Sequence, residues 1–190
     1  MTFALVIATL TLSYLLAPQP MNACAQLIPS SLQSTIARAY PGSKLVRESE
    51  YAADDIASEL QYRHGNRCLG AATADVNGDG RNDFMFLIAT KNGDALVIAA
   101  VSISDAHWKL ATVETFRHSS PYGYFVNTLP PDKYTDMFAS DNAPDDWRPE
   151  PGRLRHYASR RPGFVAGRLE STAVAYFYTG TRWVHLWLSD

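Results

Sequence analysis

Between residues 75 and 83 the chain reads Asp75-Val76-Asn77-Gly78-Asp79-Gly80-Arg81-Asn82-Asp83, with side-chain oxygens at positions 1, 3, 5 and 9 of the run. In a tightly curled loop, alternate residues aim Asp75, Asn77 and Asp79 at one centre, and Gly80 at position 6 permits the sharp turn. Arg81 at position 7 offers only its backbone carbonyl, so its side chain is irrelevant to the set. Asp83 reaches the centre directly or through a water. An all-oxygen, acidic set of this kind suits Ca2+, a hard cation that takes about six to eight oxygens. Magnesium prefers fewer protein ligands and more water. The expected affinity is modest, roughly 10⁻⁴–10⁻³ M, as in extracellular modules, and the expected role is structural. The competing reading is a metal-free turn, because Asn, Asp and Gly favour turns anyway.

Other reactive side chains form no comparable pattern. None of the five histidines (His64, His107, His118, His156, His185) stands in an H-x-x-x-H or H-E-x-x-H pair, and no G-x-S-x-G occurs. His64 and Cys68 are four apart, but Gly65-Asn66 between them argues against the helix that would align them. His118 adjoins Ser119-Ser120, and neighbours in sequence rarely point at one another. Downstream, Asp132, Asp136, Asp141, Asp145 and Asp146 precede a stretch rich in arginine. Arginine and aromatic residues are what interfaces favour, which nominates Tyr124, Trp147, Arg148, Arg153 and Arg155 as partner-binding residues. A solvated basic face over a subsidiary aromatic core is the plainer alternative.

The acidic run is not an EF-hand. Position 12 would be a bidentate glutamate, and here it is Phe86 inside an apolar stretch with no helical pattern. The complete D-x-N-x-D-G-x-x-D pattern (Asp75, Asn77, Asp79, Gly80, Asp83) instead resembles the strand-flanked calcium loop of FG-GAP and related exported repeat proteins. Those families carry several copies. This chain has one, so the resemblance does not extend to a β-propeller. The chain also resembles small exported bacterial proteins with one such loop between strands and an aromatic C-terminal strand, here ending Trp187-Leu188-Ser189-Asp190.

The elements that must position these residues follow from composition and pattern. At 190 residues with 46% hydrophobic and 19% charged side chains, the chain can bury a real core. A net charge of −2 argues against general nucleic-acid binding. Residues 1–25 hold no charged side chain, and the apolar stretch from Phe3 to Ala17 has the length of a signal-peptide core rather than a membrane span. Pro18 and Pro20 break that stretch, and Ala23-Cys24-Ala25 fits a small-x-small cleavage site. Cleavage near Ala25 predicts a periplasmic or secreted domain over 26–190 with no transmembrane segment and Cys68 as its lone thiol. Lipidation at Cys24 is the minor alternative.

Within 26–190 the pattern predicts a short helix capped by Ser30 or Ser31 and running to about Tyr40, with Leu32, Ile36 and Tyr40 on one face. A second helix is expected over 54–62. From Cys68 onward strands are expected over 69–74, 84–89, 95–103, 108–116, 164–169, 173–178 and 182–188, with Asn92-Gly93 turning a hairpin. Residues 117–163 hold seven of the 11 prolines and read as a long connection, with one short helix after Pro131. The expectation is a single α+β domain: an N-terminal helix or helices packed on an antiparallel β-sheet, with a long Pro-rich connection over 117–163.

The functional reading is an exported, calcium-stabilised, non-enzymatic binding protein. Its partner is a protein or cell-envelope component, and an inhibitor or immunity-type protein is one form. The alternative is a periplasmic or secreted hydrolase with its site under 117–163, using Asp132, Asp136 or His118 as acid or base.

Overall fold

The computed structural model describes residues 23–60, 68–139, 149–169, 171 and 173–188. Helices α1 (Ala23–Leu27), α2 (Ser30–Ala39) and α3 (Ala53–Leu60) are short. Pro29, not a serine, stands before the first turn of α2 and makes no side-chain cap. Strand is the commonest state among the described residues: β1 (Lys44–Leu45), β2 (Ala71–Ala74), β3 (Asp83–Ala89), β4 (Ala95–Ser104), β5 (His107–Phe116), β6 (Tyr124–Leu129), β7 (Lys133–Thr135), β8 (His156–Ala158), β9 (Gly163–Arg168), β10 (Ala173–Tyr178) and β11 (Trp183–Leu188).

Three antiparallel sheets form. The first runs β1-β3-β4-β5, with β2 pairing β3 beyond β1 on the same edge. The second runs β11-β10-β9-β6, and β7 and β8 make a separate two-stranded ribbon. The β3–β4 hairpin turns where Asn92-Gly93 predicts it. Gly93 takes φ +83°, and Thr90 N–H donates to Asp94 O at 2.9 Å.

Burial explains the patterns. Strand β3 is buried along nearly all its length because both of its faces are covered. Met85 and Leu87 face the second sheet, in one cluster with Val97, Ala99, Phe164, Val174 and Tyr176. Phe84, Phe86 and Ile88 face the other way, among Cys24, Ile28, Leu32, Ile36, Ile98 and Ala100. A strand covered on both faces loses its polar alternation, which is why β3 reads as a continuous apolar run. The second sheet is also covered twice: Ala175, Phe177, Val184 and Leu186 pack under Tyr134, Leu154 and Tyr157 from the ribbon side.

Two expectations are overturned. The chain is not an α+β domain: it is mostly β, with 44% strand against 21% helical among the described residues, and sheet packing on sheet sets the architecture. Its helices are too short to make a layer. Nor is 117–163 one long connection. Its described part supplies β6 to the second sheet and both strands of the ribbon. The helix expected after Pro131 is instead strand β7 followed by a single 3-10 turn over Met137–Ala139. Pro130 and Pro131 sit between β6 and β7, where no ladder N–H is required.

Cysteine gives a third correction. Cys24 and Cys68 are joined by a disulfide, with Cα atoms 4.8 Å apart, and both residues are buried. Cys68 is therefore no lone thiol, and Cys24 carries the other half of a core cross-link. Cleavage after Ala25 would remove Cys24, and lipidation would consume the same sulfur. Among the described residues no helix is long and apolar enough to cross a membrane.

Candidate calcium loop

Residues 75–82 connect β2 to β3, antiparallel neighbours whose last and first residues, Ala74 and Asp83, pair directly. The connection must therefore reverse the chain over a short span, and Asp75 organises the reversal. Its Oδ1 accepts from Gly78 N–H at 2.6 Å and Asp79 N–H at 3.1 Å, and its Oδ2 accepts from Gly80 N–H at 2.9 Å. Gly78 and Gly80 take φ of +78° and +81°, in the left-handed region that a side chain would strain.

Asn77 and Asp79 extend the same pattern. Asn77 Oδ1 accepts from Asp79 N–H at 2.9 Å, and Asn77 Nδ2 donates to Asp79 Oδ2 at 2.9 Å. Asp79 Oδ1 accepts from Arg81 N–H at 2.9 Å. That backbone bond, helped by Asn77 and by the Arg81 guanidinium, holds the Asp79 carboxyl below its ordinary value.

Two arginines supply positive charge to the loop. Arg81 Nη2 lies 2.6 Å from Asp79 Oδ2 and also donates to Ile103 O at 3.0 Å, while its Nε donates to Ser102 Oγ at 3.1 Å. Arg161, distant in sequence, donates through Nη1 to the Asn77 carbonyl. The Arg81 side chain, dismissed on sequence grounds, is thus a working counter-ion. Nothing in the spacing signals Arg161, because only the fold brings the segment before β9 onto this turn.

Asp83 differs from the others. It is fully buried as the first residue of β3, with Oδ2 accepting from Val76 N–H at 3.0 Å and Oδ1 from Ser102 N–H at 2.8 Å. Burial pushes its carboxyl up, and those N–H bonds only partly offset this. Asp83 clamps the loop to β4.

The donor set is oxygen-rich and fits calcium by type. Asp75, Asn77 and Asp79 present carboxylate and amide oxygens on one turn; Asp75 Oδ2, Asn77 Oδ1 and Asp79 Oδ1 each accept one of the bonds above and keep a lone pair, whereas Asp75 Oδ1 and Asp79 Oδ2 each accept two. Asp79 would exchange the Arg81 guanidinium for the ion. Among the described residues no three His, Cys, Asp or Glu side chains already sit together as a ready-made metal cluster.

The remaining sequence candidates scatter. Trp147 and Arg148 lie outside the described residues, as does His64. Tyr124 stacks on Phe116, with ring centroids 3.9 Å apart and planes 13° from parallel. Arg155 is exposed. Arg153 is not a surface arginine: its side chain is 5% exposed, and it grips Asp136 through Nε and Nη2, both at 2.9 Å.

Asp136 is fully buried and also accepts from Phe138 N–H at 3.0 Å and Trp187 N–H at 3.1 Å. Burial alone would raise its carboxyl, but Arg153 and the two N–H bonds outweigh burial and hold it below the ordinary value. This pair pins the ribbon to β11, a role that spacing did not reveal. The three groups named for hydrolysis share no hydrogen bond with one another and are bonded to other partners. Asp136 is committed to Arg153, Asp132 is exposed and accepts from Lys133 N–H at 2.7 Å, and His118 is exposed with its N–H on Asp94 Oδ1. Comparison with known proteins yields no match: no family model, no curated protein and no solved structure is similar to this chain.

Proposed function

We propose that this chain is an exported binding protein, without catalytic machinery of its own, whose loop 75–83 takes Ca2+ to brace the β2–β3 junction. The observation that carries the reading is Asp75. One carboxylate gathers three backbone N–H groups, curling the turn so that Asn77 and Asp79 follow it on the same loop. Asp75, Asn77, Asp79 and the Arg81 carbonyl would hold the ion, with Asp83 ordering the exit strand from behind. The ion would supply positive charge where Arg81 and Arg161 now supply it, and would stiffen the turn between two core strands. Export is supported by the buried disulfide, since such bridges persist in oxidising compartments. An exported chain that keeps this bridge would have to be processed before Cys24 rather than after Ala25.

The test is calorimetric titration of calcium into the chelator-treated, disulfide-intact chain, paired with a melting scan. Saturable binding at roughly 10⁻⁴–10⁻³ M and a raised melting temperature are expected, both absent in Asp75→Ala with Asp79→Ala. No heat and no shift in the parent protein would remove the ion and leave an arginine-neutralised turn.

A further inference from the structure

A second site lies between the sheets, away from the calcium loop and independent of it. A cavity of about 200 Å³ opens between edge strand β5 and the second sheet. Glu114, Phe116, Tyr124, Arg168, Tyr176 and Trp187 are among its walls. The volume is below that of pockets for drug-sized ligands, so the occupant is a small group.

A backbone irregularity places Glu114 there. Along β5 the register with β4 slips between Val97 and Ile98: Val97 pairs Glu114 and Ile98 pairs Thr112, leaving Val113 as the extra residue. Regular alternation would send Val113 and Glu114 to opposite faces. Across the bulge both turn toward the second sheet, Val113 into the shared core and Glu114 into the cavity.

Glu114 forms no ion pair among the described residues. Its Oε1 accepts from Thr115 N–H at 2.8 Å, and its Oε2 stands 3.5 Å from the Tyr176 hydroxyl. That separation exceeds a good hydroxyl–carboxylate bond of about 2.7 Å. Tyr176 is 3% exposed. A buried hydroxyl and an unneutralised carboxylate thus share a recess whose other walls include the stacked Phe116–Tyr124 pair and Trp187. Arg168, exposed at the end of β9, lines the cavity without pairing with Glu114.

We propose that this cavity binds a small organic cation, a quaternary ammonium group. Aromatic faces attract such a cation through their ring quadrupoles, and the weak hydration of alkylated nitrogen makes entry into an aromatic recess inexpensive. Glu114 supplies the countercharge, and Oε2 lies where a cationic head would meet it. A sugar or neutral alcohol could donate a hydroxyl hydrogen bond to Oε2 but would bring no positive charge to balance the carboxylate.

The test is titration of choline into the disulfide-intact chain, by calorimetry and by nuclear Overhauser contacts from the trimethyl protons. Its neutral carbon analogue, 3,3-dimethyl-1-butanol, is titrated in parallel. Saturable choline binding at roughly 1 mM is expected, with trimethyl contacts to the rings of Tyr124 and Trp187 and no comparable binding of the alcohol. Glu114→Gln keeps the shape and the Oε1 acceptor for Thr115, and is expected to weaken choline about tenfold at an unchanged melting temperature. Absence of saturable binding, equal binding of the alcohol, or trimethyl contacts elsewhere on the surface would each overturn the proposal. So would an undiminished Glu114→Gln affinity. Should Glu114→Gln fail to fold, the contacts and the alcohol comparison on the parent chain decide.

Discussion

Breaking the Cys24–Cys68 bridge should cost more than any single surface change. The two cysteines are 44 residues apart and lie in the apolar cluster beneath β3. In the chain-entropy account, a cross-link closing a loop of that length removes about 4 kcal/mol of freedom from the unfolded state. For a domain of this size that corresponds to about 10 °C in melting temperature. The assay is urea unfolding of the oxidised and the reduced chain, read by tryptophan fluorescence, with thiols counted in denaturant beforehand. The oxidised protein should show no titratable thiol. Reduction should lower stability by about 4 kcal/mol and steepen the urea dependence, because the reduced unfolded chain exposes more surface. Cys24→Ala with Cys68→Ala should fall further, since two buried sulfurs are then also missing from the packing. A chain beginning at Gln26, which lacks Cys24, should resemble the reduced form. Two free thiols in the native protein would refute the pairing. A reduced chain within about 1 kcal/mol of the oxidised one would refute the energetic argument.

Two further outcomes follow from the packing. Asp136→Asn should destabilise by about 3–5 kcal/mol, because buried Arg153 loses its two-pronged carboxylate partner and keeps the half-exposed Glu150 at 3.2 Å, and Arg153→Met in the same chain should recover part of the loss. Because the Asp136 carboxyl is held below its ordinary value, its contribution is complete above about pH 4 and is lost as the pH falls through the lower folded-state value. Urea midpoints from pH 7 down to 2 should show that loss, and Asp136→Asn should flatten it. Gly163→Ala should destabilise by about 1–3 kcal/mol or more, since the added methyl would lie 2.5 Å from the Phe177 ring and 2.8 Å from the Tyr176 carbonyl. Thermal melts of Gly163→Ala and of Gly123→Ala, where a methyl meets nothing, separate crowding from loss of glycine itself.

Local features were legible in the residues themselves. Asn92-Gly93 turns β3 into β4 because the reversal there uses a positive φ at Gly93, a preference carried by the residue alone. The curl of 75–83 is local too, with Asp75 bonding N–H groups three to five residues on. Apolar runs at 84–89 and 95–103 marked strands because burial on both faces leaves no polar alternation to confuse them.

What stayed hidden depends on contacts far apart in sequence. Strands β7 and β8 are three residues each, and they exist because the ribbon covers Phe177 and Leu186 and because Asp136 is tied to Arg153 and Trp187. No local pattern encodes that. Cys68 looked solitary until Cys24 was seen in the core, and the α+β expectation failed because periodicity reports that a face is apolar but not what covers it. Nothing in the local sequence singles out Glu114, which a one-residue bulge against β4 turns inward. The sequence by itself determined the acidic turn and most central strands, since these follow from side-chain type and spacing. The tertiary structure decided the stacking of three sheets, the disulfide, the buried Asp136–Arg153 pair and the aromatic cavity, because each needs surfaces that meet only once the chain has closed on itself.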